Sequence, residues 1–328
     1  MTATLARELT WKFPLMRGDD VREVQRALIR DGSMSGSADG IFGPATHDGV
    51  IAFQRKLRAR NPTIDVDGIV GRDTWSALFQ DRASADPVPQ LRVPPAAVAE
   101  ASDWRNLIRP YVERLSVKHG APQQAPGGVR WRLSPGGIIV ADEATPRRSG
   151  GAPQTLTRIW TTFRAPIEKC AAAYGVPAEL ILATIATESG GNPNALREEP
   201  GFTSDEATPH RVSPGLMQTL ISTARATLND RSINRQKLLD PETSIRAGTA
   251  YIRQQARTTN FDPPLVACAY NAGNCYPQDG AQNPWKLRQY PIGTGKHADR
   301  FCEWFGDALV VLRNEPPKPT TPHFAALL

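Results

Sequence analysis

The part of the sequence best suited to acid–base chemistry is a predicted helix that ends in a glutamate, within residues 176–192. Pro177 is typical of the start of a helix, and Gly190 is typical of the left-handed residue that ends one. At about 100° per residue, Glu188 falls on the apolar side of this helix and Glu179 on the opposite side. We therefore expect Glu179 to be solvated and Glu188 to be partly buried.

Glu188 is expected to hold its proton near neutral pH. Burial disfavours the charged form of a carboxyl group, and the C-terminal end of a helix dipole acts in the same direction, so both raise the pKa. Such a group can donate a proton to a leaving oxygen and later take one back. A salt-bridged glutamate at a frayed helix end is the alternative interpretation, and this stretch alone does not decide between the two.

Three further motifs follow Glu188-Ser-Gly-Gly-Asn192 along the chain. They are Ser213-Pro-Gly-Leu-Met-Gln218, the segment from Leu239 to Tyr251, and Ala269-Tyr-Asn-Ala-Gly273. In this order the four motifs resemble the lytic transglycosylases of glycoside hydrolase family 23, which have a goose-lysozyme-like fold. The resemblance covers roughly residues 155–315, and four ordered motifs are far more specific than any one of them.

The resemblance implies that a single glutamate, Glu188, does the acid–base work on peptidoglycan. It would protonate the oxygen between MurNAc and GlcNAc, and the substrate's own N-acetyl group would support the charge at C1. The ionised glutamate would then take the proton of the MurNAc C6 hydroxyl and close a 1,6-anhydro ring without water. Substrate-binding roles are implied for five residues: Ser189, Met217, Gln218, Tyr270 and Asn271. No cofactor and no metal is expected.

The sequence departs from the family in two places. The family often has a tyrosine beside the site in its last helix, where this chain has Phe301, and Tyr290 is a candidate replacement. The loop after Glu188 is long and has four carboxylates: Glu198, Glu199, Asp205 and Glu206. A second carboxylate there would activate water and make the enzyme an inverting lysozyme, although a solvated acidic loop is the commoner interpretation. A non-catalytic wall-binding protein is the alternative from another class, and the intact Glu188 motif argues against it.

An internal repeat occupies residues 18–80. Ala38-Asp-Gly-Ile-Phe-Gly-Pro-Ala-Thr46 is echoed by Val66-Asp-Gly-Ile-Val-Gly-Arg-Asp-Thr74, and each Asp-Gly-Ile is a tight turn that opens a helix. The pattern resembles the small three-helix peptidoglycan-binding domain, here over residues 15–82, and implies bacterial peptidoglycan as the partner. Candidate wall contacts are Asp39, Phe42 and Asp67. The alternative is that these three residues only shape the turns and the core.

Composition indicates an ordinary globular chain with two domains. It has 328 residues, of which 40% are hydrophobic and 22% charged, and a formal net charge of +6. The basic balance favours an anionic partner, and without a recognisable nucleic-acid module we expect the bacterial envelope and no nucleic acid. No apolar run approaches the ~18 residues of a membrane span, so no membrane insertion is expected. We expect a monomer.

The expected cellular route follows from the N-terminus. Its first ten residues have no apolar core of signal-peptide length, so we expect synthesis in the cytoplasm without a signal peptide. The modular order and basic charge resemble a phage endolysin, which would act at the cell wall after holin-dependent release. A secretion-system effector without a signal is the alternative context.

The expected fold class is mainly α, with a small three-helix wall-binding domain linked to an α-rich lysozyme-like catalytic domain that has a minor β-hairpin. Proline-rich residues 83–99 predict an extended linker, and residues 100–154 an N-terminal extension of the catalytic domain with no assigned role. Residues 129–141 predict the hairpin, turning at Ser-Pro-Gly-Gly. Residues 216–228 predict a further helix. Residues 316–328 are expected to form a disordered tail.

Four cysteines occur, all in the second half of the chain: Cys170, Cys268, Cys275 and Cys302. Their spacing does not match a metal site, and small buried thiols are the simplest interpretation. A Cys275–Cys302 or Cys268–Cys302 bridge formed after export is the alternative.

Overall fold

Helices make up most of the structure, which confirms the mainly α fold class. The computed structural model describes residues 7–10, 16–60, 64, 66–79, 103–120 and 127–328. These residues fall into two units, one within 1–95 and 201–210 and the other within 96–200 and 211–328. The predicted linker at 83–99 lies outside the described residues and stays a prediction.

The first unit has the three helices that the repeat predicts. They are α1 (Asp19–Arg30), α2 (Pro44–Arg60) and α3 (Arg72–Phe79). Helices α2 and α3 each begin just after an Asp-Gly-Ile turn. One apolar cluster holds the unit together, and it includes Val21, Val24, Leu28, Phe42, Val50, Phe53 and Trp75.

The second unit is built on a larger set of helices with two small sheets. Its described helices are α4 (Trp104–Ser116), α5 (Gln154–Tyr174), α6 (Ala178–Ser189), α7 (Ile221–Leu228), α8 (Arg235–Leu239), α9 (Pro241–Thr259), α10 (Pro263–Ala272) and α11 (Lys296–Asn314). Its described strands are β1 (His119–Gly120), β2 (Arg130–Ser134), β3 (Gly137–Val140), β4 (Leu196–Glu198) and β5 (Val212–Pro214).

The predicted hairpin is present and belongs to a three-stranded sheet in the order β1-β2-β3. Ser134 lies opposite Gly137 across the turn, which confirms the Ser-Pro-Gly-Gly prediction. Strand β3 packs against α11. A side chain on Gly137 would begin only 3.0 Å from the Cα atom of Gly306 in that helix, so the close approach requires glycine. Residues within the predicted extension therefore pack on the helices of the second unit.

Helix α6 lies at the centre of the second unit, packed against α5 and α11. Every residue from Ala178 to Thr187 is buried, so the helix is enclosed on all sides and is not amphipathic. The prediction that Glu179 is solvated is therefore wrong. Its carboxylate is fully buried and accepts the backbone N–H groups of Phe324 at 2.9 Å and Ala325 at 2.8 Å.

The C-terminal segment covers the start of α6, and the prediction of a disordered tail at 316–328 is wrong. Its carbonyls accept bonds from core elements: Pro319 from the Trp104 indole at 2.8 Å and Pro322 from the Ala178 N–H at 2.9 Å. Phe324 is fully buried. The prolines do favour an extended chain, but this apolar anchor and the buried Glu179 fix it to the core.

The segment between β5 and α7 is a loop, although the sequence predicts that a helix starts at Leu216. Gly215 has a φ of 84° and Gln218 a φ of 47°, and neither fits a right-handed helix. A side chain on Gly215 would begin 1.9 Å from the Leu238 carbonyl oxygen, so only glycine fits at this point.

Candidate active site

Glu188 lies in the last turn of α6. Gly190, with a φ of 62°, ends the helix by donating its N–H to the carbonyl of Ala186. The Glu188 side chain is 17% exposed, and burial raises the pKa of its carboxyl group to about 8. The positive charges of Arg197 and Arg300 act in the opposite direction but more weakly. The carboxyl group is therefore protonated at neutral pH, which agrees with the raised pKa predicted from the sequence.

A cavity of about 820 Å³ opens beside Glu188. It is formed by the end of α6, the segment that leads into β4, residues 215–220 between β5 and α7 (the Gln218 loop), and α11. Its lining residues are Ala186, Thr187, Glu188, Ser189, Gly190, Asn192, Asn194, Ala195, Leu196, Arg197, Gln218, Arg300 and Trp304. Among these described lining residues, Glu188 has the only carboxyl group.

His297, at the start of α11, has its imidazole ring close to the Glu188 carboxyl group. Its Nε2 lies 3.5 Å from Glu188 Oε1, and its side chain is 12% exposed. Burial, followed by the charges of Arg300 and Arg197, lowers the pKa of His297 to about 4. Both members of the pair are therefore uncharged near neutral pH.

The sequence analysis did not identify His297, Arg300 or Trp304 as site residues. Their spacing of three and then four residues places them on one face of α11, and this signal was present in the sequence. A helix with a histidine, a cation and a tryptophan on one face is a candidate wall for a polar ligand. The spacing could not show that this face turns toward Glu188, because that depends on how α11 packs against α6.

Ser189 and Gln218 both lie in the cavity lining, as predicted for substrate-binding residues. The Ser189 hydroxyl donates to the carbonyl of Leu216 at 2.7 Å and so ties the end of α6 to the Gln218 loop. The Gln218 amide donates to the carbonyls of Ala195 at 3.1 Å and Gly215 at 2.9 Å. These bonds fix the shape of the cavity wall, and direct contact with substrate stays a prediction.

Met217 and Tyr270 lie behind the cavity and not in its lining. Met217 is fully buried, and its carbonyl accepts the Tyr270 hydroxyl at 2.8 Å. The same hydroxyl is 2.9 Å from the hydroxyl of Thr219. Gly248 in α9 permits this arrangement, since a side chain there would begin 2.6 Å from the Met217 sulfur and 2.7 Å from the Tyr270 oxygen. In this structure both residues support the Gln218 loop, and a binding role for them stays a prediction.

The Asn271 side chain is hydrogen-bonded to the backbone of Tyr290, and neither residue belongs to the described cavity lining. The Asn271 side-chain oxygen accepts the N–H of Tyr290 at 2.5 Å and so holds the segment after α10. The Tyr290 side chain is exposed. Phe301, at the position where the family often has tyrosine, is buried in the core. A substrate role for Asn271 and a replacement role for Tyr290 stay predictions.

In the first unit, a buried glutamine organises each repeat. Gln25 donates to a carboxylate oxygen of Asp39 at 2.7 Å and accepts the N–H of the glycine in the same turn. Gln54 likewise donates to a carboxylate oxygen of Asp67 at 2.9 Å and accepts the N–H of the glycine in that turn. Phe42 is fully buried, so its side chain offers no surface to a ligand in this structure. Wall contact through the two aspartates stays a prediction, and their observed bonds are those of the turns.

The remaining sequence predictions concern metals, cysteines and membranes. All four cysteines are free thiols, so neither alternative disulfide is present in this structure. Among the described residues, no group of three or more His, Cys, Asp and Glu side chains is arranged to hold a metal ion. Within that same part of the chain, no helix is both long and apolar enough to cross a bilayer.

Several solved structures have some likeness to this chain. The 70 kDa soluble lytic transglycosylase SLT70 from Escherichia coli is 20% identical over 50% of this chain and 26% of its own length, with a TM-score of 0.34. An inactive variant of lytic transglycosylase Slt from Pseudomonas aeruginosa is 15% identical over 94% of this chain and 54% of its own, with a TM-score of 0.35. A Burkholderia AP3 phage endolysin is 17% identical over 93% of this chain and 99% of its own, with a TM-score of 0.21. The chain thus spans about a quarter of SLT70, and all three scores are too low to support an assignment.

Two family models give the assignment. Residues 165–289, which contain Glu188, Gln218 and Tyr270, match the model described as Transglycosylase SLT domain. Residues 17–78, which contain both Asp-Gly-Ile turns, match the model described as Putative peptidoglycan binding domain. The chain therefore carries a domain of the transglycosylase SLT family, preceded by a domain of the peptidoglycan-binding family.

Proposed function

We propose that the chain cleaves the MurNAc-β-1,4-GlcNAc bond of bacterial peptidoglycan as a lytic transglycosylase, with Glu188 as the only acid and base. One observation carries this proposal: a single carboxyl group, protonated at neutral pH, lies beside a cavity of about 820 Å³ in a transglycosylase SLT domain. That volume is within the range of about 300–1,000 Å³ typical of ligand pockets.

Glu188 acts twice in the proposed reaction. With a pKa of about 8 it holds a proton at neutral pH and gives it to the glycosidic oxygen as the C1–O bond breaks. The N-acetyl oxygen of the same MurNAc attacks C1 and takes up the positive charge, so no protein nucleophile is required. The Glu188 carboxylate then removes the C6 hydroxyl proton, and O6 displaces the N-acetyl oxygen at C1. The products are a 1,6-anhydroMurNAc end and a GlcNAc end, and Glu188 is protonated again.

Ser189 and Gln218 hold the parts of the site in place around this reaction. The Ser189 bond to the Leu216 carbonyl joins the catalytic helix to the Gln218 loop, and Tyr270 supports that loop from behind. Because Gln218 lines the cavity, we assign it to the substrate's acetamido group. Met217 and Asn271 fit this scheme as supports for the loop and for the segment after α10.

The inverting hydrolase is the alternative reaction, and it needs a second carboxylate that activates water. Glu198 is paired with Arg235 at 2.8 Å, and Glu199 with Arg197 at 2.8 Å. Neither belongs to the described cavity lining, which favours the transglycosylase. Asp205 and Glu206 lie in the loop 201–210, and a hydrolytic role for them stays a prediction that the products test.

Mass spectrometry of the products from purified sacculi tests the reaction. Anhydro-muropeptides are expected, whereas products that have gained water at a reducing end would establish the hydrolase. Glu188→Gln should keep the fold and the binding to sacculi but lose nearly all cleavage. If the wild-type chain neither forms products nor clears permeabilised cells of either Gram type, the non-catalytic wall-binding alternative replaces the proposal.

The first unit is proposed to anchor the enzyme on peptidoglycan. Deleting residues 1–85 should weaken sedimentation with purified sacculi, and unchanged sedimentation would leave that unit without a binding role. The endolysin context, with release by a holin, stays a prediction. Holin or spanin genes beside the coding gene would support it, and secretion genes in that place would replace it.

A further inference from the structure

The cavity beside Glu188 is positively charged at neutral pH. Its charged lining residues are Glu188, Arg197 and Arg300, and the glutamate is protonated. The two guanidinium groups are therefore not balanced by a carboxylate within the described lining. An electropositive cavity of this kind raises the local concentration of anionic ligands.

Neither arginine is held in the interior of the protein. The Arg197 side chain is 65% exposed. Its Nε forms an ion pair with Glu199, which is only two residues further along the chain. Arg300 is exposed on α11, and no hydrogen bond or ion pair joins it to another residue in the described part of the chain. Surface pairs of this kind contribute little to folding stability. The two guanidinium groups are thus available to a ligand in the cavity.

The position of the two arginines has a cost for the proposed reaction. Each of them lowers the pKa of Glu188 and so works against keeping the acid protonated. Each also lowers the pKa of His297, which faces the same carboxyl from α11. Cations placed beside an acid that must stay neutral are useful if the substrate brings a negative charge to them.

We propose that Arg197 and Arg300 form a carboxylate-binding subsite, so that the enzyme selects glycan strands with a carboxylate beside the scissile bond over neutral glycan. This rests on the proposed function. Guanidinium groups bind carboxylates through paired charge-assisted hydrogen bonds. The carboxylate belongs to the lactyl group of MurNAc or to a peptide attached to it. Once bound, it cancels the field of the arginines and helps Glu188 to keep its proton until the glycosidic oxygen takes it.

Binding to the full-length Glu188→Gln chain tests the subsite without any need for turnover. Isothermal titration calorimetry would compare three soluble glycans: a GlcNAc hexamer without carboxylates, GlcNAc–MurNAc strands stripped of peptide with free lactyl carboxylates, and the same strands with peptides. The strands distinguish the two sources of the carboxylate. Added Arg300→Gln and Arg197→Gln substitutions are the test variants, and Arg313→Gln, an exposed arginine in the last turn of α11, is the matched control.

We expect the preference for at least one carboxylate-bearing strand over the neutral hexamer to fall about tenfold to a hundredfold in Arg300→Gln, and further in the double variant. Arg313→Gln should keep the original preference. An Arg300→Lys variant should recover part of it, because the charge returns without the paired geometry. The subsite is overturned if there is no preference before substitution, or if the double variant keeps it. Failure of the wild-type chain to form anhydro products would instead overturn the proposed function and leave this result standing.

Discussion

Replacing Glu188 by glutamine should make the protein more stable, by an amount that grows with pH. The native state holds the Glu188 carboxyl in a buried site with a pKa of about 8, against 4.5 for an unperturbed glutamate. Below about pH 4.5 both the native and the unfolded chain have the proton, and the group costs no stability. Between about pH 4.5 and 8 only the unfolded chain releases it, so native stability falls as pH rises. Above about pH 8 the whole cost is present.

The size of the effect follows from the two pKa values. A difference of about 3.5 at about 1.4 kcal/mol per pKa unit corresponds to about 5 kcal/mol. The side chain keeps 17% exposure at an open cavity, where water screens the charge, so we expect about 2–4 kcal/mol. For a unit of this size each kcal/mol moves the melting temperature by about 2–4 °C. Glutamine has the same shape and does not ionise, so it removes the cost without opening a cavity.

Differential scanning calorimetry at pH 4, 6, 8 and 9 would measure the change. The Glu188→Gln variant should melt close to the wild-type temperature at pH 4 and about 5–15 °C above it at pH 9. Glu113→Gln, at an exposed position on α4, is the matched control and should track the wild type at every pH. A Glu188→Gln difference that does not change with pH, or one that favours the wild type at pH 9, would refute the assignment of Glu188 as a buried protonated acid.

Three further changes test other parts of the structure. His297→Leu should lower kcat about tenfold to a hundredfold and move the basic limb of the kcat/KM profile to higher pH, because the ionised Glu188 loses its polar neighbour. A basic limb at the wild-type pH would argue against this contact. Glu179→Ala should cost about 3–5 kcal/mol in denaturant unfolding, because two buried N–H groups lose their acceptor, and a loss below about 1 kcal/mol would contradict that role. Gln25→Ala should destabilise the first unit by about 3 kcal/mol. It should also reduce sedimentation with sacculi, while cleavage of soluble strands continues. Sedimentation equal to that of the wild type would show that the turn does not support binding.

Elements fixed by local pattern were predictable from the sequence. The repeated Asp-Gly-Ile turns predict the three helices of the first unit, and Ser-Pro-Gly-Gly predicts the turn between β2 and β3. In both cases the information lies within a few residues, since turn chemistry and apolar spacing act locally. The helix predicted over residues 216–228 ends at Leu228 as predicted, but it begins only at Ile221. Gly215 and Gln218 have left-handed conformations, and Gly215 lies against the carbonyl of Leu238, a distant residue that the local pattern does not include.

The roles of the site residues were harder to predict than their presence. The motifs predict substrate binding for Ser189, Gln218 and Tyr270 alike. In the structure Ser189 and Gln218 line the cavity, whereas the Tyr270 hydroxyl is bonded to the Met217 carbonyl, and the substrate role of each residue stays a prediction. Sequence spacing shows which residues share a face, but it does not show whether a polar group meets a protein partner or a ligand. His297 was missed because its meeting with Glu188 joins residues more than a hundred positions apart.

The two glutamates of α6 differ in what surrounds each carboxyl group, and this difference supports the catalytic role proposed for Glu188. Glu179 is fully buried and Glu188 is partly buried, and burial raises the pKa of each carboxyl group. Glu179 accepts two backbone N–H bonds from the C-terminal segment, so its oxygens are already satisfied. No hydrogen bond reaches the Glu188 carboxyl from any described residue, and that carboxyl faces a cavity with no other carboxylate in its described lining. A partly buried carboxyl group without a hydrogen-bond partner in the protein can bond to a ligand oxygen in the cavity. Helical periodicity places the two residues on opposite faces, but it does not show the partner of either one. Glu179 meets backbone groups about 145 residues away in the sequence. For Glu188, the proposed function supplies the partner as a substrate.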